Sequence, residues 1–505
     1  MSRRWCPWLP TVFLTVAVGC TTASPRPKSA ERDESVVAAA YQPAPGDPMA
    51  AAPTPEPAPI SGPQPVDAYI RRALAENRTV RAAYHNVQAL KYRIPQVMAL
   101  DDPVASNVIF PIPSVAPQYS LMGFNPYNLT LAQQFPWFGT LRLRGEVADR
   151  DVQVALAELA AAQLDAVAAV KRSYYDLYAS QRAEEFLAEN RKLLVDFQSV
   201  ARRRLETGGS QQDVLRAEVL ISELDRETAS NRQGIASARA ALARQAHLGP
   251  EADPRTLPDL GAAAVPDQMD RLYTLAIAAR PELRGRLAAV ARDEKAIELA
   301  RKRFYPNYSL GLVYMDMEKT NAQTPKTAGG FPNIGLFVAF NLPIYRAKYR
   351  AGVCEAQERA KADAMLYEAQ RDETHSEIAD LMTQAKVQRD VLGLLRDQIL
   401  PRTRQTLENA GGDYSKGNVD FAALISASRE VLQVQLQVAQ VEAELGKALA
   451  SLERAVGCQI NEHPPAPATD AEATATPPLP SASGPFQPKP PVAPGADRAA
   501  PPGPL

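Results

Sequence analysis

The sequence predicts a mainly α-helical chain that also contributes strands to a transmembrane β-barrel, and three observations carry that prediction. Two stretches of about 60 residues have the composition of unusually long helices. Four shorter segments alternate apolar residues with small or polar ones, the period of half-buried strands. Both features occur twice and in the same order, with a repeat unit of about 200 residues, too long for a solenoid. The chain therefore reads as a duplicated half-domain.

Residues 1–19 read as an export signal: Arg3 and Arg4 precede an apolar run from Trp8 to Val18, which ends in Ala17-Val18-Gly19. Cys20 follows, and AVGC resembles the lipobox of bacterial lipoproteins, in which cleavage before the cysteine exposes it for acylation. Thr21 and Thr22 carry no aspartate, which in lipoproteins resembles a protein sent on to the outer membrane. An ordinary signal peptide that happens to meet a cysteine is the simpler alternative. Residues 20–65 and 461–505 are rich in proline and alanine, a composition of extended segments that cannot bury a core. The folded body is expected between them, as a first repeat over 66–255 and a second over 256–460.

The totals exclude several functions. A net charge of -1 leaves no excess of cations for a nucleic-acid backbone. Only Cys354 and Cys458 remain after Cys6 and Cys20 are accounted for, so a disulfide scaffold is ruled out. His85, His247, His375 and His463 are scattered, and no cluster has metal-ligand spacing. No catalytic constellation and no cofactor motif emerges. After the signal no run of about 18 apolar residues is evident, so any membrane crossing is expected to use strands.

Each repeat opens with a helical segment, from Ala73 (ALAENRTVRAAYHNVQALKYRI) and from Ala276 (AIAARPELRGRLAAVARDEKAI). Strands follow. NYSLGLVYM, from Asn307, places Tyr308, Leu310, Leu312 and Tyr314 on one face; NIGLFVAFNL, from Asn333, does the same with Ile334, Leu336, Val338, Phe340 and Leu342. Tyr127–Leu131 alternates likewise, and a vaguer strand lies between Val104 and Pro111. Four strands cannot close a barrel, and open edges are not tolerated in lipid, so closure requires other copies of the chain. Two copies give eight strands and a filled interior; three give twelve and a pore.

The rods come next. Glu146–Thr207 contains neither glycine nor proline over about 62 residues, some 90 Å of helix. Its partner, from Arg346 to about Ala410, carries Gly393 and Pro401, which predict a bend. Both rods end in turn chemistry, at Thr207-Gly208-Gly209-Ser210 and at Ser415-Lys416-Gly417-Asn418, so each folds back as an antiparallel hairpin. The returning helices have heptad stripes, at Val214, Ala217, Ile221, Leu224, Thr228, Asn231, Ile235, Ala238 and Leu242, and at Val431, Val434, Val438, Val441, Leu445, Ala448 and Leu452. The second carries a further stripe at Leu432, Leu436, Ala439 and Ala443, giving it a seam on each of two sides. A long bundle with a dry centre fits the helices equally well; the strands favour a tube.

AQQFPWFGTLRLR, from Ala132, and AFNLPIYRAKYR, from Ala339, mark the strand-to-rod corners. Pro136 and Pro343 end strand pairing, Trp137 and Tyr345 suit the membrane interface, and Arg142, Arg144, Arg346 and Arg350 begin the aqueous helix. With these corners, the RPEL run at Arg280, RRRLETGGSQQDVLRAE at the first tip and YSKGNVDFAALISA at the second, the body resembles the TolC family of bacterial outer-membrane efflux factors. The resemblance implies a homotrimer with a twelve-stranded barrel in the outer membrane and a twelve-helix α-barrel tunnel. It implies an inner-membrane pump and a periplasmic adaptor as partners. FPWFG and the lipobox look most like the cation-efflux and lipoprotein branches. Arg203, Arg204, Thr207, Gly208, Lys416 and Gly417 become candidate adaptor contacts, with plain helix capping as the alternative for the glycines. The aspartate pair that some members carry after the second tip is replaced by Ala423 and Ser426, with Asp420 close by. A type I protein secretion duct shares this architecture, and a structural coiled-coil lipoprotein without a pore is the alternative of another class.

Overall fold

The structure, a computed structural model, describes residues 62–109, 124–206, 208–249, 251–260, 265–318, 332–416 and 418–460. The signal, Cys20, most of the linker before Val66, the tail from 461, Thr207 and Gly417 lie outside the described residues.

Each repeat opens with two helices rather than one. α1 (Val66–Glu76) and α2 (Arg78–Met98) are separated by Asn77, whose side chain accepts from the backbone N–H groups of Thr79 at 2.8 Å and Val80 at 3.2 Å. α5 (Met269–Ala279) and α6 (Pro281–Lys302) are separated by Arg280, with Pro281 in the first turn. Asn77 and Arg280 occupy equivalent places in the repeat. An Asn cap and a proline at the first helical position are the usual chemistry of a helix start, so the expectation of one short helix per repeat is corrected.

Four antiparallel strands form one sheet in the order β1 (Val104–Ile109), β2 (Phe124–Phe135), β3 (Tyr308–Glu318), β4 (Asn333–Phe340). Leu131 stands opposite Leu312, which stands opposite Leu336; Phe135, Tyr308 and Phe340 align in the same way. Apart from Gln133, which stands opposite Leu310, this face is apolar along the rows from Leu129 to Phe135 across β2, β3 and β4, and it is exposed, with Leu336 at 87% and Ile334 at 69%. The other face carries Thr130, Ser309, Gly311 and Gly335. An added Cβ on Gly311 would lie 2.1 Å from the Phe337 ring, so the glycine is what lets that ring cover the strand. β1 departs from the pattern: Val104 and Val108 lie on the polar face.

Two rods run from the sheet. α3 (Thr140–Glu206) has 67 residues, about 100 Å. It starts before Glu146 because the arginine run of the corner is already helical. Gly145 sits inside it, where a Cβ would lie 2.7 Å from the Met98 side chain, so its absence admits α2 closely. α7 (Arg346–Gly393) passes through a π-helical segment, Leu394–Ile399, into α8 (Leu400–Lys416). Gly393 and Pro401 flank that segment, and the Leu400 N–H reaches the carbonyl of Leu395. The predicted bend takes the form of a π-bulge in a continuous rod.

α4 (Gln211–Gln245) returns along α3, and α9 (Phe421–Val456) returns between α3 and α7–α8. α2 packs on the sheet-proximal part of α3 through Val80, Val87, Val152, Ala155 and Leu159, while α6 lies against both α3 and α7. The neighbours thus run α2 with α4, then α3, then α6 with α9, then α7 with α8. Both predicted seams of α9 are buried at most positions, including Val434, Val438, Leu432, Ala439 and Ala443, with Leu436 and Val441 half-buried. In the α4 seam, Thr228 donates to Leu224 O at 2.8 Å and Asn231 to Ser180 O at 3.0 Å, which accounts for polar residues in an apolar stripe.

One 18-residue window of α3 reaches a mean hydropathy of 1.4, enough by length and composition to cross a membrane. It is not an uninterrupted apolar run, since Gln153, Glu158, Gln163 and Asp165 break the alanine-rich stretch. The helix is alanine-rich, and its apolar residues, among them Leu156, Leu164 and Val167, are the seams it buries against neighbours on both sides.

Candidate functional site

Two places carry the candidate residues: the hairpin tips and the strand-to-rod corners. At the first tip Gly208 takes φ +99°, and the N–H groups of Gly208 and Gly209 donate to Leu205 O at 3.2 Å and Arg204 O at 2.7 Å. Ser210 then caps α4, accepting from Gln212 at 3.1 Å. At the second tip the Asn418 N–H donates to Asp413 O at 2.9 Å. Both turns come to one end of the molecule, where α3, α4, α8 and α9 share a core of Leu194, Ala217, Leu220, Tyr414, Phe421 and Leu424.

The candidates separate there. Arg203, Gly208 and Lys416 are exposed. Arg204 turns inward, with its guanidinium 4.5 Å from the centre of the Tyr414 ring and its Nη1 donating to Tyr414 O at 2.9 Å. Tyr414 in turn donates its hydroxyl to Asp213 at 3.2 Å and packs on Phe421 with ring centres 5.3 Å apart. Burial, then the Asp213 carboxylate, push the Tyr414 phenol above its ordinary pKa, so it stays a neutral donor. Arg204, Tyr414 and Asp213 therefore tie the hairpins of the two repeats together. The sequence reading missed Tyr414 and Asp213, because their contact spans 201 positions and no local pattern marks it. Ala423 and Ser426 are exposed, as is Asp420, whose side chain makes no capping bond to α9.

At the corners, the Trp137 N–H donates to Asn307 Oδ1 at 3.2 Å, and its ring stacks on Tyr305 at 5.1 Å. Phe135 stacks on Tyr308 at 5.3 Å. Gly139, at φ +81°, turns the chain into α3 just beyond Pro136, and Pro343 stands between β4 and α7. Tyr345 is 72% exposed. Aromatic rings thus border the apolar face of the sheet where the helices begin, an arrangement that suits the boundary between lipid and water.

Between tips and corners the RPEL run forms an ion cluster. Arg280, only 6% exposed, lies 2.8 Å from Glu377 of α7 and 3.4 Å from Glu282. Glu282 also pairs with Arg454 of α9, which pairs with Asp165 of α3 at 2.5 Å. The cluster joins both repeats. Burial pushes the Glu282 carboxyl up, but the hydrogen bond and charge of Arg454, with Arg280, outweigh it and hold the group below its ordinary pKa.

Among the described residues no group of His, Cys, Asp and Glu could hold a metal ion. His375 stacks on Tyr273 at 4.2 Å, His85 lies edge-on to Tyr84 at 5.6 Å, and His463 is outside the described residues. Cys354 and Cys458 are free thiols.

Residues 272–458 match the family model described as outer membrane efflux protein. No curated protein sequence matches the chain. Among solved structures, the chain is similar to the outer-membrane channel OprN, at 22% identity over 78% of this chain and 89% of that one, with a TM-score of 0.64. It is similar to CusC at 17% identity over 82% and 99%, with a TM-score of 0.66. The outer membrane protein VceC of Vibrio cholerae gives 17% over 78% and 96%, with a TM-score of 0.63. At such identities these likenesses establish the fold.

Proposed function

Because residues 272–458 match the outer membrane efflux protein family, we propose that this chain is a TolC-type exit duct of a tripartite efflux pump: a passive channel in which three copies close a twelve-stranded barrel and a helical tunnel beneath it. The family is one of channels rather than of enzymes. One observation carries the reading: a four-stranded sheet with an exposed apolar face and two open edges. In lipid each unpaired edge group costs several kcal/mol, so the edges must find partners. All neighbours in the sheet are antiparallel, so β4 of one copy and β1 of the next continue the same alternation. The outermost helices carry matching edges, with Leu215 and Val219 on α4 and Met365, Val387 and Val391 on α7 exposed.

Cys20 carries the lipid in this reading and fixes the N-terminus to the outer membrane. Small molecules or metal cations cross by passage, which needs no tight site. Arg203, Gly208 and Lys416 face a periplasmic adaptor joined to an inner-membrane pump, and Thr207 and Gly417 are assigned to the same contact from the sequence. Arg204 contributes there by holding the two tips in register. Two measurements test this. The detergent-extracted protein should have the mass of a trimer and give unitary conductance in a planar bilayer; a monomer without conductance defeats the proposal. Gly208→Trp should leave the trimer assembled and abolish efflux, and unchanged resistance of the host strain would remove the tips as the docking site.

A further inference from the structure

The corner concentrates exposed positive charge where three element ends come together. Three element ends meet beneath the sheet: the start of α3, the end of α6 and the start of α7. They carry Arg144, Arg301, Arg303, Arg346, Lys348 and Arg350, all exposed and none in an ion pair among the described residues. Arg142 pairs with Glu146 at 3.3 Å, and the Lys302 ammonium lies 5.8 Å from the Tyr305 ring centre. The acidic residues near them include Asp101, Asp102, Glu146, Glu294 and Glu298, of which Glu146 and Glu298 share Lys295. The local balance is thus positive in a chain whose formal net charge is -1.

Just above the cations, on the side of the sheet, Phe138, Leu342, Ile344 and Tyr345 are exposed. The order from the sheet toward the helices is apolar strand face, then aromatic and aliphatic rim, then unpaired cations. That is the order of acyl chain, interface and phosphate in one leaflet of a bilayer. Neither α3 nor α7 has an acidic residue in its first turn. Cations there oppose the positive end of the helix dipole, and an anion from outside would offset that repulsion.

We propose that this basic rim binds the phosphate groups of anionic phospholipids in the leaflet that faces the helices, so that the channel gathers such lipids around its waist. The inference rests on the sheet crossing the membrane, as the proposed function has it. The rim needs the apolar belt above it to set the depth of the headgroups, which a soluble anion would not use.

The test uses the full-length assembled protein in nanodiscs of phosphatidylcholine, with and without a minor fraction of phosphatidylglycerol. Mass spectrometry of the lipids retained on detergent extraction should show phosphatidylglycerol enriched on the order of threefold or more over the bulk, falling as salt is raised. The combined Arg144→Gln, Arg303→Gln, Arg346→Gln, Arg350→Gln variant should lose the enrichment. A control with equal charge removed from exposed arginines far from the corner, Arg216→Gln, Arg226→Gln, Arg402→Gln, Arg404→Gln, should keep it. If the fourfold variant does not assemble, Arg303→Gln and Arg350→Gln are read singly in the same assay. Equal enrichment in corner variant and wild type overturns the inference, as does full competition by inorganic phosphate. Conductance in pure phosphatidylcholine separates the two levels: a conducting wild type without lipid enrichment defeats this inference alone, whereas absence of conductance defeats the channel reading beneath it.

Discussion

α4 and α9 leave the two tips with the same apolar repeat, yet the chain surrounds them differently. α9 lies between α3 and α7–α8 and buries most of both its stripes, together with Gln435 between them at 4% exposure. α4 buries one stripe against α3 and leaves Leu215 at 52% and Val219 at 58%. Glycines report the same contrast. A Cβ on Gly446 of α9 would lie 2.7 Å from the Tyr175 ring, while one on Gly234 of α4 would meet nothing within 4 Å. The two helices carry equivalent stripes, and their places among their neighbours make one interior and the other an edge. A heptad stripe therefore states what a helix can bury, and lane position states whether the same chain supplies the partner.

Substitutions can break that contrast. Val438→Asp places an unpaired charge in the interior lane and should cost about 4 kcal/mol or more, seen as loss of the folded chain in circular dichroism and denaturant melts. If the proposed trimer closes through the edge lane, the paired change Leu215→Asp and Val219→Asp should keep helix content and abolish that trimer by light scattering; an intact trimer would mean that α4 meets no second copy. Gly446→Ala should destabilise by about 1 to 3 kcal/mol through the Tyr175 contact. Gly234→Ala should stabilise by up to about 1 kcal/mol, because open space leaves only the helix-propensity gain. The smallest effect concerns the cluster that holds α9 in its lane. Glu282 has a depressed pKa, so its contribution is full above the ordinary carboxylate value and disappears as pH falls through the lower folded value. Glu282→Gln should flatten the acid side of the stability profile, a slope measurable by urea melts between about pH 3 and 6.

Much of this was legible in the residues. Strand faces at Leu310–Tyr314 and Ile334–Phe340, the corner at Pro136-Trp137, the glycine turns at the tips and the paired stripes of α9 all follow from periods and turn chemistry confined to short windows. The breaks at Asn77 and Arg280 had a local signal, an Asn cap and a proline at N1, but the alternation of Ala, Leu and Arg concealed it. What no window could reveal are the contacts of high sequence separation. Arg204 reads as a free tip cation until Tyr414 is placed beside it, and Gly145 and Gly446 read as weak points in helices until Met98 and Tyr175 approach them.

The π turn at Leu394–Ile399 holds a surplus residue relative to the helices on either side. Were the same residues wound as plain α-helix, every position beyond Leu400 would swing by about 100° around the rod. Tyr414 would then point away from Asp213, and the second tip would lose its tether to the first. The facing of the last turn is thus set some fifteen residues upstream, by an irregularity in winding rather than by any group at the tip itself.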